Sequence, residues 1–535
     1  MNPLPHPPSG NIADLLLQKA QEHPDTIAIV FPHEKGDIKY TYAQLQEKVW
    51  TFMQELRENN IQKNDRVVIL FPVSVQLYTL IAAIYSIGAV AVLIDPGMGL
   101  SRITSALKTA KPKALVSTKK ALKFRWFIPA LWRIHTFFCI DGLSWGCIPI
   151  GQSHTTPQPQ SMVARKETDQ ALITFTSGST GAPKGANRHH QFLLAQHHAL
   201  LRSFPPHENQ IDMTCFPVVV FHNLSCGHTT IIPDCDIAKP ATMNPEIICR
   251  QLQQYSVTSL SAAPAFIEKL TAYLKQTNQT LPSLKIMALG GAPISARLQQ
   301  NICDTLPHTD AIAVYGSTEA EPMAHHHIRT PIIEKDAFVA GTPVDFIQLK
   351  IVHVPNPPPQ NQDLSTLETK EVGEIIVSGS HVNQGYIDNQ QANTENKIKD
   401  DKGNIWHRTG DRGYFDENGC LWLTGRTNDI VHHGSQILDP FPIESRLLKI
   451  PFVKQAALLE SNQKGYLFLS LDSNENDIAA VKELLLASEN NLILCIADRL
   501  PVDGRHNSKI DRPTIRRWLR HAWWYARTQY KEIAQ

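Results

Sequence analysis

The sequence predicts an α/β protein with a mostly parallel sheet, and three observations support this prediction. Apolar runs alternate with helical patterns along the N-terminal part of the chain, which is typical of βαβ units. Glycine-rich turns directly follow several predicted strands, and ligands of parallel sheets bind at such turns. Hydrophobic residues make up 42% and charged residues 19% of the 535 residues, as in a globular protein of two or more domains.

The alternation is clearest in the first hundred residues. Gln44–Asn59 has the apolar spacing of an amphipathic helix, and Arg66–Phe71 has the continuous apolar character of a buried strand. Val75–Ile87 then predicts a second helix, and Ala89–Ile94 predicts a second strand. This order of elements predicts neighbouring parallel strands that are joined by helices.

Another short buried strand, Ala171–Phe175, runs into the Gly- and Ser-rich segment Thr174–Gly185. Glycines allow backbone N–H groups to turn towards a ligand, and several such groups in one turn form an anion site. Hydroxyl side chains add donors, and a lysine adds a point charge. The segment therefore predicts a polyphosphate cradle that is formed by Thr176, Ser177, Gly178, Ser179, Thr180, Gly181 and Lys184.

This cradle differs from the common nucleotide P-loop, in which a Ser or Thr after Gly-Lys holds Mg²⁺. Here Pro183 precedes Lys184, and Gly185 follows it. A flexible surface linker is the alternative interpretation. It is disfavoured because a linker rarely ends in Pro-Lys-Gly directly after a strand.

Two later segments repeat the arrangement of a strand followed by a glycine turn. They are Lys285–Pro293 and Ala311–Glu319. The second segment places an aromatic ring, a hydroxyl group and a carboxylate in one turn. By itself Glu319 is equally well an ordinary surface carboxylate, but beside a phosphate cradle a hard oxygen ligand fits Mg²⁺.

These segments resemble the signature motifs of the adenylate-forming superfamily, which includes acyl-CoA synthetases, peptide-synthetase adenylation domains and luciferases. Six such motifs occur in the family order between Thr174 and Lys509. The resemblance implies a large N-terminal multi-sheet α/β domain at 1–424 that binds ATP and the acyl substrate. A hinge at 425–428 and a small mobile α+β C-terminal lid domain at 429–535 would follow.

The same resemblance assigns roles around the nucleotide. Tyr315, which Gly316 follows, would stack on the adenine ring. Thr318 would contact the α-phosphate as a catalytic residue, and Glu319 would hold Mg²⁺. The earlier glycine turn would line the adenine and acyl pocket with Gly291, Ala292 and Pro293.

Two motifs nearer the C-terminus would bind the ribose hydroxyl groups. Asp411 ends the segment Trp-His-Arg-Thr-Gly-Asp, and Arg426 lies in the segment Gly-Arg-Thr-Asn-Asp. In the second motif Asn428 takes the pivot position, where the family usually has Asp or Lys. Asn adopts turn geometry readily, so the hinge role is retained.

Lys509 resembles the family lysine that contacts the carboxylate and the α-phosphate during adenylation, although Ser508 precedes it where Gly is usual. Carboxylate and phosphate repel each other, and a fixed cation stabilises both in the transition state. A cation on a mobile domain reaches the site when that domain closes. The implied reaction is attack of a carboxylate on the α-phosphate of ATP, with release of pyrophosphate.

The segment Phe216–Leu224 bears on the substrate. Acyl-activating members of the superfamily have a Phe-His pair here, whereas amino-acid-activating domains typically have an Asp that grips the α-amino group. This chain has Phe221-His222, and no acidic residue lies between Phe216 and Ile232. The pattern favours a fatty-acyl-type carboxylate and makes His222 a catalytic candidate. The alternative is core packing with one satisfied histidine.

Three sequence segments resemble those of the bacterial olefin-biosynthesis enzymes of this superfamily: Leu93–Gly99, Tyr315–Pro322 and Pro501–Ile510. This narrower resemblance implies a 2-alkyl-3-hydroxy fatty acid as substrate, whose own hydroxyl group expels AMP and closes a β-lactone. Two alternatives stay open. A long-chain fatty acid–CoA ligase would pass the acyl group to coenzyme A, and a non-catalytic protein would only bind nucleotide or acyl ligands.

Charge, cysteine content and the N-terminus indicate the cellular setting. A net charge of +1 gives no sign of nucleic-acid binding, and nine cysteines without a C-x-x-C pair suit reduced thiols. The N-terminus lacks the basic and apolar regions of a signal peptide, and no run of 18 apolar residues is present. We therefore expect a cytoplasmic protein that has no nucleic-acid partner.

Two stretches, Lys119–Arg133 and the C-terminal residues from Arg505 onwards, are both basic and aromatic. Such segments can lie at a membrane surface, or they can contact a partner such as another hydrocarbon-biosynthesis enzyme. They can also bury their rings in the core while the cations reach solvent. The sequence leaves these three interpretations open.

Overall fold

The computed structural model describes residues 7–33, 36–153, 157–176, 183–331, 337–354, 358–360, 364–433, 436–471, 492–502, 509–520 and 531–533. The helices in these ranges are α1 (Ala13–Glu22), α2 (Tyr42–Glu58), α3 (Val75–Ser86), α4 (Leu100–Ala110), α5 (Lys119–Leu122), α6 (His190–Ser203), α7 (Pro217–Cys226), α8 (Pro245–Gln254), α9 (Pro264–Thr277), α10 (Ala296–Thr305), α11 (Gln390–Asn396), α12 (Pro440–Leu448) and α13 (Arg512–Arg520). Short 3₁₀ helices lie at Pro96–Met98, Arg125–Phe127, Pro129–Arg133, Pro240–Thr242 and Thr427–Asp429. Over this part of the chain, none of the helices has the length and apolar character that crossing a membrane demands.

The strands of the N-terminal part are β1 (Ile27–Phe31), β2 (Ile38–Thr41), β3 (Arg66–Leu70), β4 (Val90–Leu93), β5 (Ala114–Ser117), β6 (Thr136–Cys139), β7 (Ile148–Pro149), β8 (Gln170–Thr176), β9 (Lys184–His189), β10 (Ile211–Thr214), β11 (Thr229–Ile231), β12 (Ser259–Ala262) and β13 (Ile286–Gly290). The later strands are β14 (Asp310–Ser317), β15 (Ala320–His327), β16 (Phe338–Pro343), β17 (Gln348–Val352), β18 (Gly373–Ser378), β19 (Lys397–Lys399), β20 (Ile405–Phe415), β21 (Leu421–Arg426), β22 (Val431–His433), β23 (Gln436–Leu438), β24 (Val453–Ser461), β25 (Lys464–Leu471), β26 (Ile493–Ile496) and β27 (Lys531–Ile533).

The first sheet has the order β7-β6-β5-β3-β4-β8-β9, and its neighbours are parallel except for β8 and β9. Its central strands β3, β4 and β5 are buried on both faces. In β3, Val67 packs in the same core cluster as helices α2 and α3, whereas Val68 packs in the cluster of Leu107 on α4. Burial on both faces explains the continuous apolar run that predicts this strand.

The second sheet runs through the middle of the molecule in the order β17-β18-β20-β21-β16-β15-β14-β13-β12-β10-β11-β1-β2, with β19 beside β20. The stretch from β14 to β1 is parallel. From β14 to β17 each pair is antiparallel. The connection between β14 and β15 consists of Thr318 and Glu319, and a parallel crossover needs a dozen or more residues. The predicted α/β fold with a large multi-sheet N-terminal part is confirmed. In its two large sheets the parallel pairs join strands between β1 and β14, whereas β1 with β2, β8 with β9 and all pairs from β14 to β17 are antiparallel.

The C-terminal residues form a ribbon of β22 and β23 and a separate sheet in the order β24-β25-β26-β27. The residues of β24 alternate between the two faces of that sheet. Leu458 packs in one cluster with Leu447 of α12, and Leu459 packs in another with Ile515 and Trp518 of α13. The core interpretation therefore holds for Trp518, whereas Trp523, Trp524 and Tyr525 lie outside the described residues.

Candidate nucleotide site

The loops after β13 and β14 begin side by side at one edge of the second sheet. The two strands are parallel, and Gly290 lies opposite Val314 at their ends. Gly291, with a φ of 90°, turns the chain in the left-handed region that side chains rarely adopt. The residues predicted to line the adenine pocket therefore start next to each other: Gly291, Ala292 and Pro293 from one loop, and Tyr315 and Gly316 from the other.

Tyr315, Asp411 and Arg426 form a connected cluster. The Tyr315 hydroxyl donates to Oδ2 of Asp411 at 2.9 Å, and Nε of Arg426 lies 3.0 Å from Oδ1 of the same carboxylate. Burial and the charge of Asp411 raise the pKa of Tyr315 well above its usual value, so the phenol stays protonated. The structure thus brings together three predicted residues from three separate motifs.

The hairpin of β20 and β21 positions the Asp411 carboxylate. Asp411 lies opposite Arg426 in the antiparallel register, and its N–H group donates to Oγ1 of Thr409 at 3.0 Å. The Asp411 charge is the main reason why the pKa of Arg426 is raised. A carboxylate can accept about four hydrogen bonds, so Asp411 keeps capacity for ribose hydroxyl groups beside its two protein partners.

Glu319 is held through both its backbone and its side chain. The Asn383 N–H donates to the Glu319 carbonyl at 2.7 Å, and the Tyr386 hydroxyl donates to Oε1 of Glu319 at 3.1 Å. The carbonyl of the preceding residue, Thr318, accepts a hydrogen bond from Nη2 of Arg188 at 2.6 Å. These bonds fix the predicted Mg²⁺ ligand against the segment 383–387.

The phosphate loop connects β8 to β9. Thr176 lies opposite Lys184 at the base of the loop, as the antiparallel register shows. Residues 177–182 and the side chain of Thr176 lie outside the described part of the chain. The phosphate contacts of Thr176, Ser177, Gly178, Ser179, Thr180 and Gly181 therefore stay predictions.

Tyr386 links the base of the phosphate loop to Glu319. The Lys184 ammonium lies 5.6 Å from the centre of the Tyr386 ring, while the Tyr386 hydroxyl is bonded to Glu319. The backbone reinforces this link, because the Ile387 N–H donates to the Gly185 carbonyl at 2.9 Å. The residues predicted for phosphate and for Mg²⁺ therefore share one neighbour that the motif analysis missed.

Lys397 is a second residue that the motif analysis missed. It is buried, its ammonium donates to the Asn383 carbonyl, and it lies 5.3 Å from the centre of the Tyr386 ring. The pKa of Lys397 is lowered to about 7, chiefly because the ammonium is buried; the charge of Glu319 opposes this shift, and that of Lys184 adds to it. No turn or motif marks this lysine in the sequence, and only the pairing of β19 with β20 brings it under the site.

His222 lies on α7 and is half-buried, as is Cys226, whereas His197 is buried. Its Nδ1 is 3.1 Å from Nδ1 of His197, and its Nε2 is 3.7 Å from Sγ of Cys226. Burial lowers the pKa of His222 well below its usual value, so the imidazole is neutral. Ligand atoms of these three residues lie within 4.8 Å of one another, a donor set that suits a soft metal ion. These contacts are also those of the core-packing alternative, and a role of His222 towards substrate stays a prediction.

The predicted hinge is bonded to α13. Arg516 donates through Nη2 to the Asn428 carbonyl at 3.2 Å and to Oδ1 of Asp429 at 3.0 Å. Lys509 lies exposed just before α13. Its contact with the α-phosphate stays a prediction that depends on movement of the C-terminal part.

A comparison with known protein families decides where the chain belongs. The family described as AMP-binding enzyme matches residues 16–387. The chain is a member of the AMP-binding enzyme family. The adenylate-forming superfamily that the motifs predict is thereby confirmed, and the protein is an adenylate-forming ligase.

Relatives of this AMP-binding enzyme include ligases of more than one kind. This chain is 29% identical over 545 residues to the olefin beta-lactone synthetase of Stenotrophomonas maltophilia (strain K279a). The aligned region covers 95% of this chain and 98% of that protein. This chain is also 26% identical over 482 residues to the acyl-CoA ligase SID4 of Ajellomyces capsulatus, and the aligned region covers 85% of this chain and 79% of that protein. Its fold matches that of the amide bond synthetase McbA from Marinactinospora thermotolerans with a TM-score of 0.80 at 20% identity, over 96% of this chain and all of that one.

The described side chains of this AMP-binding enzyme fit ATP and a divalent cation. Glu319 offers a hard oxygen ligand, and Lys184 offers positive charge close to it. On the nucleoside side, the carboxylate of Asp411 is held by two partners that leave it room for further hydrogen bonds. Mg²⁺, when bound, would neutralise phosphate oxygens in such a site.

Proposed function

We propose that this enzyme activates a 2-alkyl-3-hydroxy fatty acid and closes it into a β-lactone, as a step of olefin biosynthesis. The substrate carboxylate attacks the α-phosphate of ATP, pyrophosphate leaves, and an acyl-adenylate remains. The 3-hydroxyl oxygen then attacks the acyl carbon, loses its proton, and the bond to AMP breaks. The observation that carries this proposal is the similarity to an olefin beta-lactone synthetase over 95% of this chain.

In this proposal the nucleoside is bound by the cluster of Tyr315, Asp411 and Arg426. The Tyr315 ring stacks on adenine, while its hydroxyl keeps the Asp411 carboxylate oriented. Asp411 accepts hydrogen bonds from the ribose hydroxyl groups, and Arg426 holds the other side of that carboxylate. These groups bind the nucleotide and do not enter the chemistry.

The phosphates lie, in this proposal, between the loop that ends at Lys184 and the turn of Thr318 and Glu319. Thr318 contacts the α-phosphate, and Glu319 ligates Mg²⁺. The catalytic cation is Lys509, which the lid at 429–535 delivers once ATP and the acyl substrate are bound. Positioning and electrostatic stabilisation supply the rate enhancement, because phosphoryl chemistry of this kind needs little covalent participation by the protein.

The acyl side of the proposal rests on α7. Phe221-His222 occupies the place where an amino-acid-activating domain has an acid, so the pocket has no charge for an α-amino group. A neutral His222 suits an apolar acyl chain. The second nucleophile belongs to the substrate itself, and an intramolecular hydroxyl needs no coenzyme A and gains the advantage of proximity.

A fatty acid–CoA ligase is the second candidate function. The observation that favours it is the similarity to an acyl-CoA ligase over 85% of this chain. The first half-reaction would be the same, and the acyl group would then pass to the thiol of coenzyme A, with release of AMP.

Product analysis distinguishes the two candidates. The enzyme is incubated with ATP, Mg²⁺ and a 2-alkyl-3-hydroxy fatty acid, with and without coenzyme A, and the products are identified by mass spectrometry. We expect β-lactone and AMP as products, and we expect the same yield of β-lactone with and without coenzyme A. If the only acyl product were a thioester, formed in the reaction with coenzyme A, the lactone proposal would be overturned in favour of the ligase. The matched control is a simple fatty acid without a 3-hydroxyl group, which cannot close a β-lactone.

We also propose a cytoplasmic setting in which the enzyme works beside other hydrocarbon-biosynthesis enzymes and contacts a membrane peripherally. A β-lactone is a reactive, poorly soluble product, so a nearby enzyme that consumes it would limit its hydrolysis. Co-purification of tagged enzyme with its pathway neighbours tests this setting, and recovery of the ligase alone at native expression would contradict it.

A further inference from the structure

Six large apolar side chains lie exposed between residues 124 and 145. We call them the aromatic surface; each is between 55% and 81% exposed, and the members are Phe124, Trp126, Phe127, Trp132, Leu143 and Trp145. Elsewhere in the described part of the chain, Leu100 and Ile437 are exposed to a similar degree, at 59% and 61%, and Ile38 is 38% exposed. Scattered exposed apolar residues are ordinary, whereas a contiguous group marks an interaction site.

Three members of the aromatic surface are joined by direct contacts. The rings of Trp126 and Trp145 lie 5.8 Å apart, and the indole N–H of Trp132 donates to the Trp126 carbonyl at 3.2 Å. The two short 3₁₀ helices at Arg125–Phe127 and Pro129–Arg133 and the loop before β7 therefore contribute to one surface. Of the interpretations left open for Lys119–Arg133, burial of the rings does not apply to Phe124, Trp126, Phe127 and Trp132. The side chains of this segment that are buried are Leu122, Arg125 and Leu131.

One buried arginine organises this surface. Arg125 donates to the Trp145 carbonyl at 2.6 Å and lies 4.7 Å from the centre of the Trp126 ring. A Cβ atom at Gly146 would lie 2.7 Å from the Arg125 guanidinium, so this glycine permits the close approach. Arg125 is only 6% exposed, and its contacts hold Trp126 and Trp145 in place, which lowers the entropic cost of binding.

The aromatic surface is bordered by positive charge. Lys119, Lys120, Lys123 and Arg133 are exposed in the same segment. The acidic residue of the adjacent loop, Asp141, is engaged by the backbone N–H of Lys119 at 2.6 Å. Tryptophan and phenylalanine with a fringe of lysines match the interface of an anionic bilayer, where rings reach the headgroup level and cations meet lipid phosphates.

We propose that the aromatic surface docks this enzyme on an anionic lipid bilayer. A second copy of the chain is a poorer occupant, because a two-fold contact through this surface would place the same lysines against each other. The proposal rests on the proposed function in one respect: a long-chain substrate and its product would reside in a bilayer, which agrees with lipid as the occupant of this surface. The inference specifies the location and the lipid charge of the peripheral contact.

Vesicle flotation of the full-length enzyme tests the proposal. Phosphatidylcholine vesicles are compared with vesicles that contain phosphatidylglycerol, and the triple variant F127S/W132S/W145S is compared with I437S, which alters an equally exposed apolar residue elsewhere. We expect wild type and I437S to float with the anionic vesicles, and we expect at least tenfold weaker binding for the triple variant. K120E/K123E should lose binding to anionic vesicles without any change in fold.

Three outcomes would overturn the proposal: no flotation of the wild type, equal flotation of the triple variant, or a concentration-dependent dimer that the triple variant abolishes. The last result would assign the surface to a second copy instead. Binding to vesicles requires no turnover, so this test and the product analysis fail independently. ATP–pyrophosphate exchange with a water-soluble acid should be unchanged in the triple variant, which serves as the check that it folds.

Discussion

At the scale of single residues, the candidate site depends on Lys397 as much as on the motif residues. This buried ammonium contacts the Asn383 carbonyl and the Tyr386 ring, and these two residues hold Glu319. Within the described part of the chain the Lys397 ammonium bonds a carbonyl oxygen, and Glu319 acts on it through charge. A buried cation in such surroundings costs free energy, and such residues cluster at functional sites. The arrangement indicates that Lys397 positions Glu319 and offsets negative charge when ATP arrives.

Replacing Lys397 by Met should weaken adenylation. The variant removes the charge but keeps the length of the side chain, so Asn383 and Tyr386 lose the group that orders them. Losses of about 10- to 100-fold are typical when a group that supports a metal ligand is removed. We expect such a loss in ATP–pyrophosphate exchange, together with a higher Mg²⁺ requirement. Lys399→Met is the matched control, since Lys399 is exposed on the same strand; equal effects of both changes would exclude the positioning role.

The same lysine should make stability depend on pH. Its pKa in the folded protein is lowered to about 7, whereas a lysine in an unfolded chain titrates near pH ~10.4. The unfolded state therefore binds more protons between these two values, and the stability of the wild type rises with pH in that window. Relative to the wild type, Lys397→Met should be most stable below pH 7 and should lose that advantage towards pH 10. Denaturant unfolding at both ends of the window measures the difference; a constant difference would contradict the assigned cause.

At the scale of elements, the contact between β21 and α12 depends on one glycine. A Cβ atom at Gly425 would lie 2.7 Å from Cδ of Pro440, the first residue of α12. Beside this contact, Nε of Arg412 lies 2.7 Å from Oδ1 of Asp439. The C-terminal end of β21 and the first helix of the C-terminal part are thus fitted closely to each other in this structure.

Gly425→Ala should destabilise this contact. The added methyl group must displace Pro440, and overpacking of this kind costs about 1–3 kcal/mol. We expect a lower midpoint of unfolding and slower adenylation, because α12 lies just beyond the predicted hinge. The double variant Gly425→Ala/Pro440→Ala removes the clashing ring and should recover part of the stability. If Gly425→Ala alone had the stability of the wild type, β21 and α12 would be free to separate, and the close contact would not be needed.

At the scale of the whole molecule, the proposed mechanism requires the C-terminal part to move. In this structure Lys509 is exposed, whereas the groups predicted to bind nucleotide, Tyr315, Asp411 and Arg426, are already connected through side chains. In the proposed mechanism binding and chemistry are therefore separable, because the residues predicted to bind nucleotide are connected to each other without Lys509.

Lys509→Ala should abolish adenylation while sparing most of the affinity for ATP. The expected result is a loss of pyrophosphate exchange with a nearly unchanged dissociation constant for ATP, measured by calorimetry. The control for a general effect of lost charge is Lys464→Ala. Lys464 is exposed in the same C-terminal part of the chain, at the turn between β24 and β25. Undiminished adenylate formation in Lys509→Ala would remove this residue from the mechanism.

Some of these features follow from short-range patterns in the chain. The buried strands β3 and β4 and the helices α2 and α3 are predicted within one or two residues, because periodicity records which faces are covered. The glycine turns after β13 and β14 and the motif residues Tyr315, Glu319, Asp411 and Arg426 are likewise visible, since turn chemistry requires particular residues at fixed spacing.

By itself, the sequence determined the α/β class, the nucleotide chemistry and the residues of each motif. Only the tertiary structure decided that Tyr315, Asp411 and Arg426 touch, that Lys397 is buried beneath Glu319, and which rings of Lys119–Arg133 face solvent. The physical reason is the range of the interactions. Local propensity and spacing act over a few residues, whereas burial and charge pairing depend on strands far apart in the chain.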